Sequence, residues 1–344
     1  MSNHLSPQPS GPQPSSIPHH LVIGAGPVGT SVTLLLVEQG IPVTVLTRSG
    51  SGPAHTLVTK VAGDAADADL VSRHATGAAA IHNCVNPPYT KWDTVWPPIH
   101  RALMAAASRT GAVLVMMDNL YGFGPSAAMP MRESDPLLAT GKKGATRAMM
   151  ATELLDAHAD GRLVGTLARA SDFFGPLVID ANLGERTMPK ILAGKKISLL
   201  GSLDVPHSFS YMPDVARTMV TIATDERAWG KPWHVPNAPA LTQRQAIAAL
   251  ADAAGTSVKI SAIGKGVLRT AGLVVPLLRE LLETWYQWAE PFVTESTLTE
   301  QTFGLHATPF DEAAAATVGW WRARIGETSS PTASHSVHIG ATIE

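Results

Sequence analysis

The sequence predicts an α/β protein, a doubly wound parallel sheet followed by a smaller, mixed C-terminal cap. Three observations carry this. Short apolar runs alternate with helix-length segments from residue 20 to about residue 170, the pattern that puts helices on both faces of a parallel sheet. A Gly-x-Gly-x-x-Gly turn, Gly24-Ala25-Gly26-Pro27-Val28-Gly29, sits between the first apolar run and the first helix. From about Phe174 onward the alternation weakens, as it does where a chain leaves a sheet to build something less regular.

The elements follow in order. Residues 20–23 read as the first strand. A helix over 28–39 is closed by Gly40. Residues 42–46 form the second strand, 57–61 a weaker third and 79–84 a fourth. The helix over 96–110 ends at Gly111. Residues 112–117 are wholly apolar, which marks a strand buried on both faces near the middle of the sheet. A second long helix covers 143–159 and a sixth strand 163–169. Further helices are read over 214–224, 242–254 and 277–288. The domain reading is a tail at 1–18, a nucleotide-binding domain at 19–175, a cap at 176–326 with some segments returning to the sheet, and a second tail at 327–344.

Composition bounds the function. Apolar residues make up 45% of the 344 and charged ones 16%, enough for a sizeable core and too apolar for disorder over most of the chain. The net charge of -2 supplies no bulk field toward nucleic acid or anionic lipid. Cys84 is the one cysteine, so no internal disulfide forms; it reads as a small buried apolar residue, and the chain as cytoplasmic. Residues 1–18 lack the apolar centre of a secretion signal. The apolar run over 271–278 is broken by Gly272 and Pro276 and closed by Arg279, far short of the roughly 20 residues a membrane span needs; it reads as a cap helix with an exposed apolar face.

The glycine turn has the context a dinucleotide site requires. Gly24 permits the tight turn, Gly26 lets the backbone approach a diphosphate, and Gly29 lets helix and strand pack closely; Pro27 and Val28 open the helix whose free N–H groups face the phosphates. The cofactor is read as a nicotinamide dinucleotide. An acidic residue about 20 positions on would hold a ribose 2′-hydroxyl. Arg48 stands there instead, which favours NADP over NAD. Asp64, after the third strand, is read either as an adenine contact or as a turn-forming residue. No His, Cys, Asp or Glu set has metal-ligand spacing, so no metal is expected.

Several segments together resemble the extended and atypical short-chain dehydrogenase/reductases, in their NAD-dependent epimerase/dehydratase branch. They are the glycine turn, Asp118-Asn119-Leu120-Tyr121-Gly122, the approach Asp135-Pro136-Leu137, Arg169-Ala170-Ser171-Asp172-Phe173-Phe174-Gly175-Pro176, and Phe209-Ser210-Tyr211-Met212-Pro213-Asp214-Val215-Ala216. The likeness spans roughly residues 20–325. It implies a Rossmann-type sheet and a catalytic Ser or Thr, a Tyr, and a Lys four residues beyond the Tyr. Here Met117, Lys143 and Arg147 occupy those three places, and Ile23 stands where the first glycine of the usual Gly-x-x-Gly-x-x-Gly belongs.

With that set replaced, Lys143 and Tyr121 are the proton donors the reading assigns. Lys143 and Arg147 share a helix face, so Arg147 would lower the lysine's pKa while holding ribose or phosphate. Asn119 orients substrate, and Phe174, His207 and Tyr211 line its pocket. Trp285, Tyr286, Trp288, Phe292 and Phe303 give the cap an apolar, aromatic cast suited to a hydrophobic small molecule. The resulting expectation is an NAD(P)H-dependent oxidoreductase reducing a ketone or hydroxyketone, as in secondary-metabolite tailoring. The alternatives are a sugar-nucleotide epimerase/dehydratase-like enzyme and a non-catalytic NAD(P)-binding sensor. A homodimer is compatible with this reading; nucleic acid is not an expected partner.

Overall fold

The computed structural model describes residues 18–329. The tail read at 1–18 lies outside the described residues except for Pro18. The one read at 327–344 lies outside them from residue 330, and residues 327–329 continue a helix rather than begin a tail.

The chain runs through β1 (His20–Ile23), α1 (Pro27–Glu38), β2 (Val43–Thr47), β3 (Val58–Ala62), α2 (Ala68–Ala75), β4 (Ala80–Asn83), α3 (Trp92–Thr110), β5 (Val113–Asn119), α4 (Lys142–Ala159) and β6 (Gly165–Ala170). It continues through β7 (Asp172–Phe174), α5 (Met188–Leu192), β8 (Ile197–Leu200), β9 (Pro206–His207), β10 (Phe209–Tyr211), α6 (Met212–Thr224) and β11 (Pro232–His234). The remainder is β12 (Leu241–Thr242), α7 (Gln243–Ala253), β13 (Ile260–Ile263), α8 (Lys265–Ala271), α9 (Pro276–Glu280), α10 (Tyr286–Ala289), α11 (Thr297–Phe303) and α12 (Phe310–Ser329).

Seven strands form one parallel sheet in the order β11-β6-β5-β4-β1-β2-β3. The order reverses between β1 and β4, which opens a crevice at the carboxyl ends of those strands, where sheets of this kind bind ligands. Period-two alternation divides the core. On β5, Val113, Val115 and Met117 join a cluster with α1 and α6, while Leu114 and Met116 join one with α2, α3 and α4. The sheet is thus a Rossmann-type sheet covered on both faces, as the apolar run of β5 implied.

Three differences from the sequence reading are local. Helix α2 is absent from that reading because it is only eight residues long, with an apolar face reduced to buried Val71 and Ala75; Asp67 starts it by accepting from the amides of Asp69 (3.0 Å) and Leu70 (2.9 Å). Helix α3 begins at Trp92 rather than 96 and carries Pro97 and Pro98 within its first two turns. The helix read over 277–288 is two pieces, α9 and α10, separated by a turn at 281–285.

A third apolar cluster forms the cap, built from Phe174, Ile191, Leu199, Ile247, Leu250 and Trp321 among others, with α12 packed on α7 and α5. Two segments beyond residue 175 return to the main body. Strand β11 pairs with β6, and α6 packs along α1. Among the described residues, no helix is long and apolar enough to cross a membrane.

Candidate functional site at the carboxyl edge of the sheet

The turn between β1 and α1 gives its three glycines different tasks. Gly24 has φ +98°, and a Cβ there would lie 2.9 Å from the Cys84 carbonyl oxygen on β4's exit loop. A Cβ on Gly29 would lie 1.9 Å from the Gly24 oxygen, so that glycine holds the turn against the helix. A Cβ on Gly26 would meet nothing within 4 Å. Gly26 is exposed at the N-cap of α1, no side chain caps that end, Pro27 occupies the first turn and Val28 is buried beneath it. The open cradle at Gly26 is the space a diphosphate would fill against unpaired helix N–H groups.

This asymmetry makes a sharp pair of predictions. Gly26→Val should unfold within about 1 kcal/mol of the parent yet lose at least about tenfold in dinucleotide affinity, by calorimetric titration. Gly29→Ala should instead lower the melting temperature markedly, since backbone must move to admit the methyl group.

Past β2, Arg48 is exposed and forms no ion pair among the described residues. Asp64 follows β3 and accepts from the Ala66 amide (2.9 Å), the turn-forming role that the sequence left open beside adenine contact. The Cys84 thiol is buried, and burial pushes its pKa up, which fits a structural residue.

At the end of β5 the structure corrects the expected role of Arg147. Its Nε donates to Asp118 Oδ1 at 2.9 Å, it donates to the Met117 carbonyl, and its guanidinium lies 4.9 Å from the centre of the Trp96 ring. Arg169 on β6 donates to the other Asp118 oxygen at 3.0 Å and lies over Phe123. All three charged groups are no more than 4% exposed. Arg147 is therefore spent on tying α4 to β5 rather than presented to a ribose. The Met117 side chain packs into the apolar core, so nothing replaces a hydroxyl there.

Lys143 is also differently placed from the expectation. It is buried, and the charges facing it are acidic: Nζ pairs with Glu280 and lies 3.6 Å from Glu283, while its own amide donates to Glu283 Oε1 at 2.7 Å. The ammonium sits over the Tyr89 ring at 4.6 Å. The lysine thus clamps the cap segment 280–284 to the start of α4; the neighbouring cation invoked from helical spacing is engaged elsewhere, with Asp118.

What does gather at the sheet edge is a polar group around Tyr121, Tyr89 and Asp172. Tyr121 stacks on Trp92 and meets Tyr89 edge-on; the Tyr89 hydroxyl is 3.1 Å from Thr284 Oγ1. Burial pushes the Tyr89 phenol up to about 12 and the Tyr121 phenol well above its ordinary value, with Asp172 adding to both. These phenols therefore remain hydrogen-bond donors at neutral pH. Asn119 accepts from the Tyr121 amide at 3.0 Å, so its carbonyl shapes the turn instead of reaching a substrate.

His207 holds Asp172. Its Nε2 is 2.8 Å from Asp172 Oδ2 and its Nδ1 is 3.1 Å from the Gln287 carbonyl, so both ring nitrogens are engaged. The ring is stacked 4.3 Å from Trp288 and is 1% exposed. His207 is thus a support beneath the site and not a pocket wall. Phe174 and Tyr211, also read as pocket lining, are 2% and 8% exposed and belong to the cap core. Three of the cap aromatics are likewise spent on packing: Phe292 is buried, Phe303 meets Trp233 at 4.6 Å, and Trp288 stacks on His207. Beside Glu283 a cleft opens, lined by Pro125, Lys265, Trp285, Tyr286 and Glu290 among others.

Asp172, Tyr89, Glu280 and Glu283 were not assigned from sequence. Asp172 carried a usable signal, since it follows β6 directly at the carboxyl edge. The two glutamates carried none, because they reach Lys143 from across the fold. Among the described residues, no group of three His, Cys, Asp or Glu side chains could hold a metal ion.

The fold has many solved counterparts. A UDP-glucose 4-epimerase from Thermotoga maritima, in a structure with UDP-glucose, superposes with TM-score 0.74 at 15% identity, covering 89% of this chain and 99% of that one. A dTDP-glucose 4,6-dehydratase from Streptomyces venezuelae with NAD bound gives 0.73 at 20% identity, covering 90% and 98%. A UDP-N-acetylglucosamine 4-epimerase from Methanobrevibacter ruminantium gives 0.73 at 17%, covering 89% and 98%. No curated protein sequence matches the chain. The model of the NAD dependent epimerase/dehydratase family matches residues 20–235, from β1 to the strand that closes the sheet, and the chain belongs to that family.

Proposed function

We propose that this protein is an NAD(P)-dependent enzyme acting on a hydroxyl-rich substrate of the sugar-nucleotide type, with Asp172 as the proton-accepting group and Tyr121 and Tyr89 as donors to substrate oxygens. The observation that carries the reading is the polar lining of the sheet edge. Phe292, Phe303 and Trp288, three of the aromatic residues that suggested a hydrophobic ketone, are packed away, while Trp285 and Tyr286 line the cleft beside Glu283; Asp172, the two phenols, Thr284 and Glu283 remain around the edge. Sugar nucleotides are also named in the descriptions of the solved structures above.

The cradle at Gly26 fits a dinucleotide diphosphate, and Arg48 suits a 2′-phosphate. When bound, the nicotinamide supplies reversible two-electron exchange with a substrate carbon. Asp172, fixed by His207, takes the proton of the adjacent hydroxyl; Tyr121 and Tyr89, kept protonated by burial, hold the oxygen as its charge changes. Lys143 keeps the cap seated and excludes water.

Turnover should be assayed on UDP- and dTDP-sugars and on hydrophobic ketones, with both cofactors. Asp172→Asn should lower kcat about 10²–10⁴-fold with cofactor affinity unchanged, and Arg48→Ala should erase any preference for NADP. Turnover confined to hydrophobic ketones would restore the reductase reading. A second reading, a non-catalytic NAD(P) sensor, is favoured by Met117, Lys143 and Arg147 in the family's three catalytic places; tight cofactor binding with every substrate inert would select it.

A further inference from the structure

One stretch of the cap has an outer surface unlike the rest of the molecule. Between residues 267 and 275, Val267 is 63% exposed, Leu273 85%, Val274 84% and Val275 43%. The other large exposed apolar side chains, Leu34, Met129, Leu138 and Leu298, are separated in sequence from one another and from this stretch. Scattered singly, such residues need no explanation, but a contiguous group does.

The charges within the stretch itself are of one sign. Lys265, Arg269 and Arg279 are all exposed, none is in an ion pair among the described residues, and no Asp or Glu occurs from residue 264 to 279. The inner side of the same stretch is well fastened. Leu268 is buried, and Glu280, Glu283 and Thr284 reach Lys143 and Tyr89. An apolar tip carried on a stretch with three unpaired cations, on a rigid mount, has two complementary requirements in a partner: a fluid apolar layer and a negative surface above it.

We propose that the α8–α9 tip docks this protein on an anionic lipid surface. Leu273, Val274 and Val275 enter the boundary between headgroups and acyl chains, and Lys265, Arg269 and Arg279 meet lipid phosphates. The attachment is local, since the whole chain carries a charge of -2, and peripheral, since no described helix crosses a membrane. A second copy of the chain is a poorer occupant. Two-fold pairing through this face would set the three cations of one protomer against the same three of the other. The proposal goes beyond the chemistry proposed above and does not depend on it.

The test is sedimentation of the full chain with vesicles of phosphatidylcholine alone and of phosphatidylcholine with phosphatidylglycerol as the minor lipid. Binding to the anionic vesicles should be stronger by at least about tenfold and should weaken as salt is raised. Leu273→Ser/Val274→Ser should abolish it, as should Arg269→Glu/Arg279→Glu. These positions are exposed, so both variants should keep the parent's melting temperature and dinucleotide affinity. Binding to neither vesicle, equal binding to both, or binding untouched by either variant would overturn the proposal. So would a concentration-dependent dimer abolished by the serine pair without vesicle binding, which would give the patch to a second copy.

Discussion

Replacing Asp118 by alanine should destabilise the protein by about 3–5 kcal/mol, which denaturant titration would measure. Asp118 is 4% exposed and is the shared counter-charge of two guanidiniums that are each 3% exposed. Without it, Arg147 and Arg169 remain buried with only a carbonyl and aromatic faces for company, at Trp96 and Phe123. The loss is therefore larger than that of a surface ion pair, which is worth about 0–1 kcal/mol. Adding Arg169→Met to Asp118→Ala should recover part of the loss, because one uncompensated charge goes with its partner. Full additivity of the two changes would show that the triad is not a coupled unit. Since the triad joins β5, β6 and α4, its loss should also loosen the floor on which Tyr121 and Asp172 stand.

Acid should weaken the fold well before its carboxylates titrate. Burial, the dominant cause in each case, brings His20, His100 and His234 down to about 4 and His82 well below its ordinary value. His20 and His82 also share a hydrogen bond of 2.9 Å, which needs one ring to accept. In the folded state these rings are neutral, while in the unfolded chain they bind protons near pH 6.5. Their contribution is thus complete above about pH 7 and is lost as pH falls from 6.5 toward 4. At about 1.4 kcal/mol per histidine for each pH unit in that window, the loss by pH 5.5 is roughly 4–6 kcal/mol. The buried carboxyls of Glu133 and Asp214 are pushed up, the opposite sign, and return some stability only at lower pH, where they take up protons before their unfolded counterparts do. Melting temperatures should hold level from pH 8 to about 7 and then fall steadily to pH 5.5. A flat profile would mean that these rings reach protons without unfolding.

The sheet was legible because its strands are apolar on both faces and its helices have capping glycines at their ends. Gly40 and Gly111 mark stops that the structure places at the same points. The glycine turn was legible for the same local reason: its backbone geometry depends on residues adjacent in sequence. The cap was not, because β7, β9, β10 and β12 are two or three residues long and owe their pairing to distant partners rather than to any pattern of their own. The candidate residues lie at the carboxyl edge of the sheet, and two of the roles read for them do not fit their contacts. Tyr121 and Asn119 are at the edge that was expected. Lys143 and Arg147 do lie four apart at the head of α4, but spacing says nothing of what faces them. Glu280 and Glu283 take one and Asp118 the other, and only the folded chain brings those acids close.

The return of α6 and β11 to the main sheet has a bearing on biosynthesis. When the first 175 residues have left the ribosome, β6 is still an open edge and the outer flank of α1 is still bare; both wait for residues 212–234. Translation must therefore carry the nascent chain through a stage with an unpaired strand and a wet apolar face, the interval in which a holding chaperone would be of most use. The nucleotide half matures only after the ribosome has already delivered the first elements of the cap.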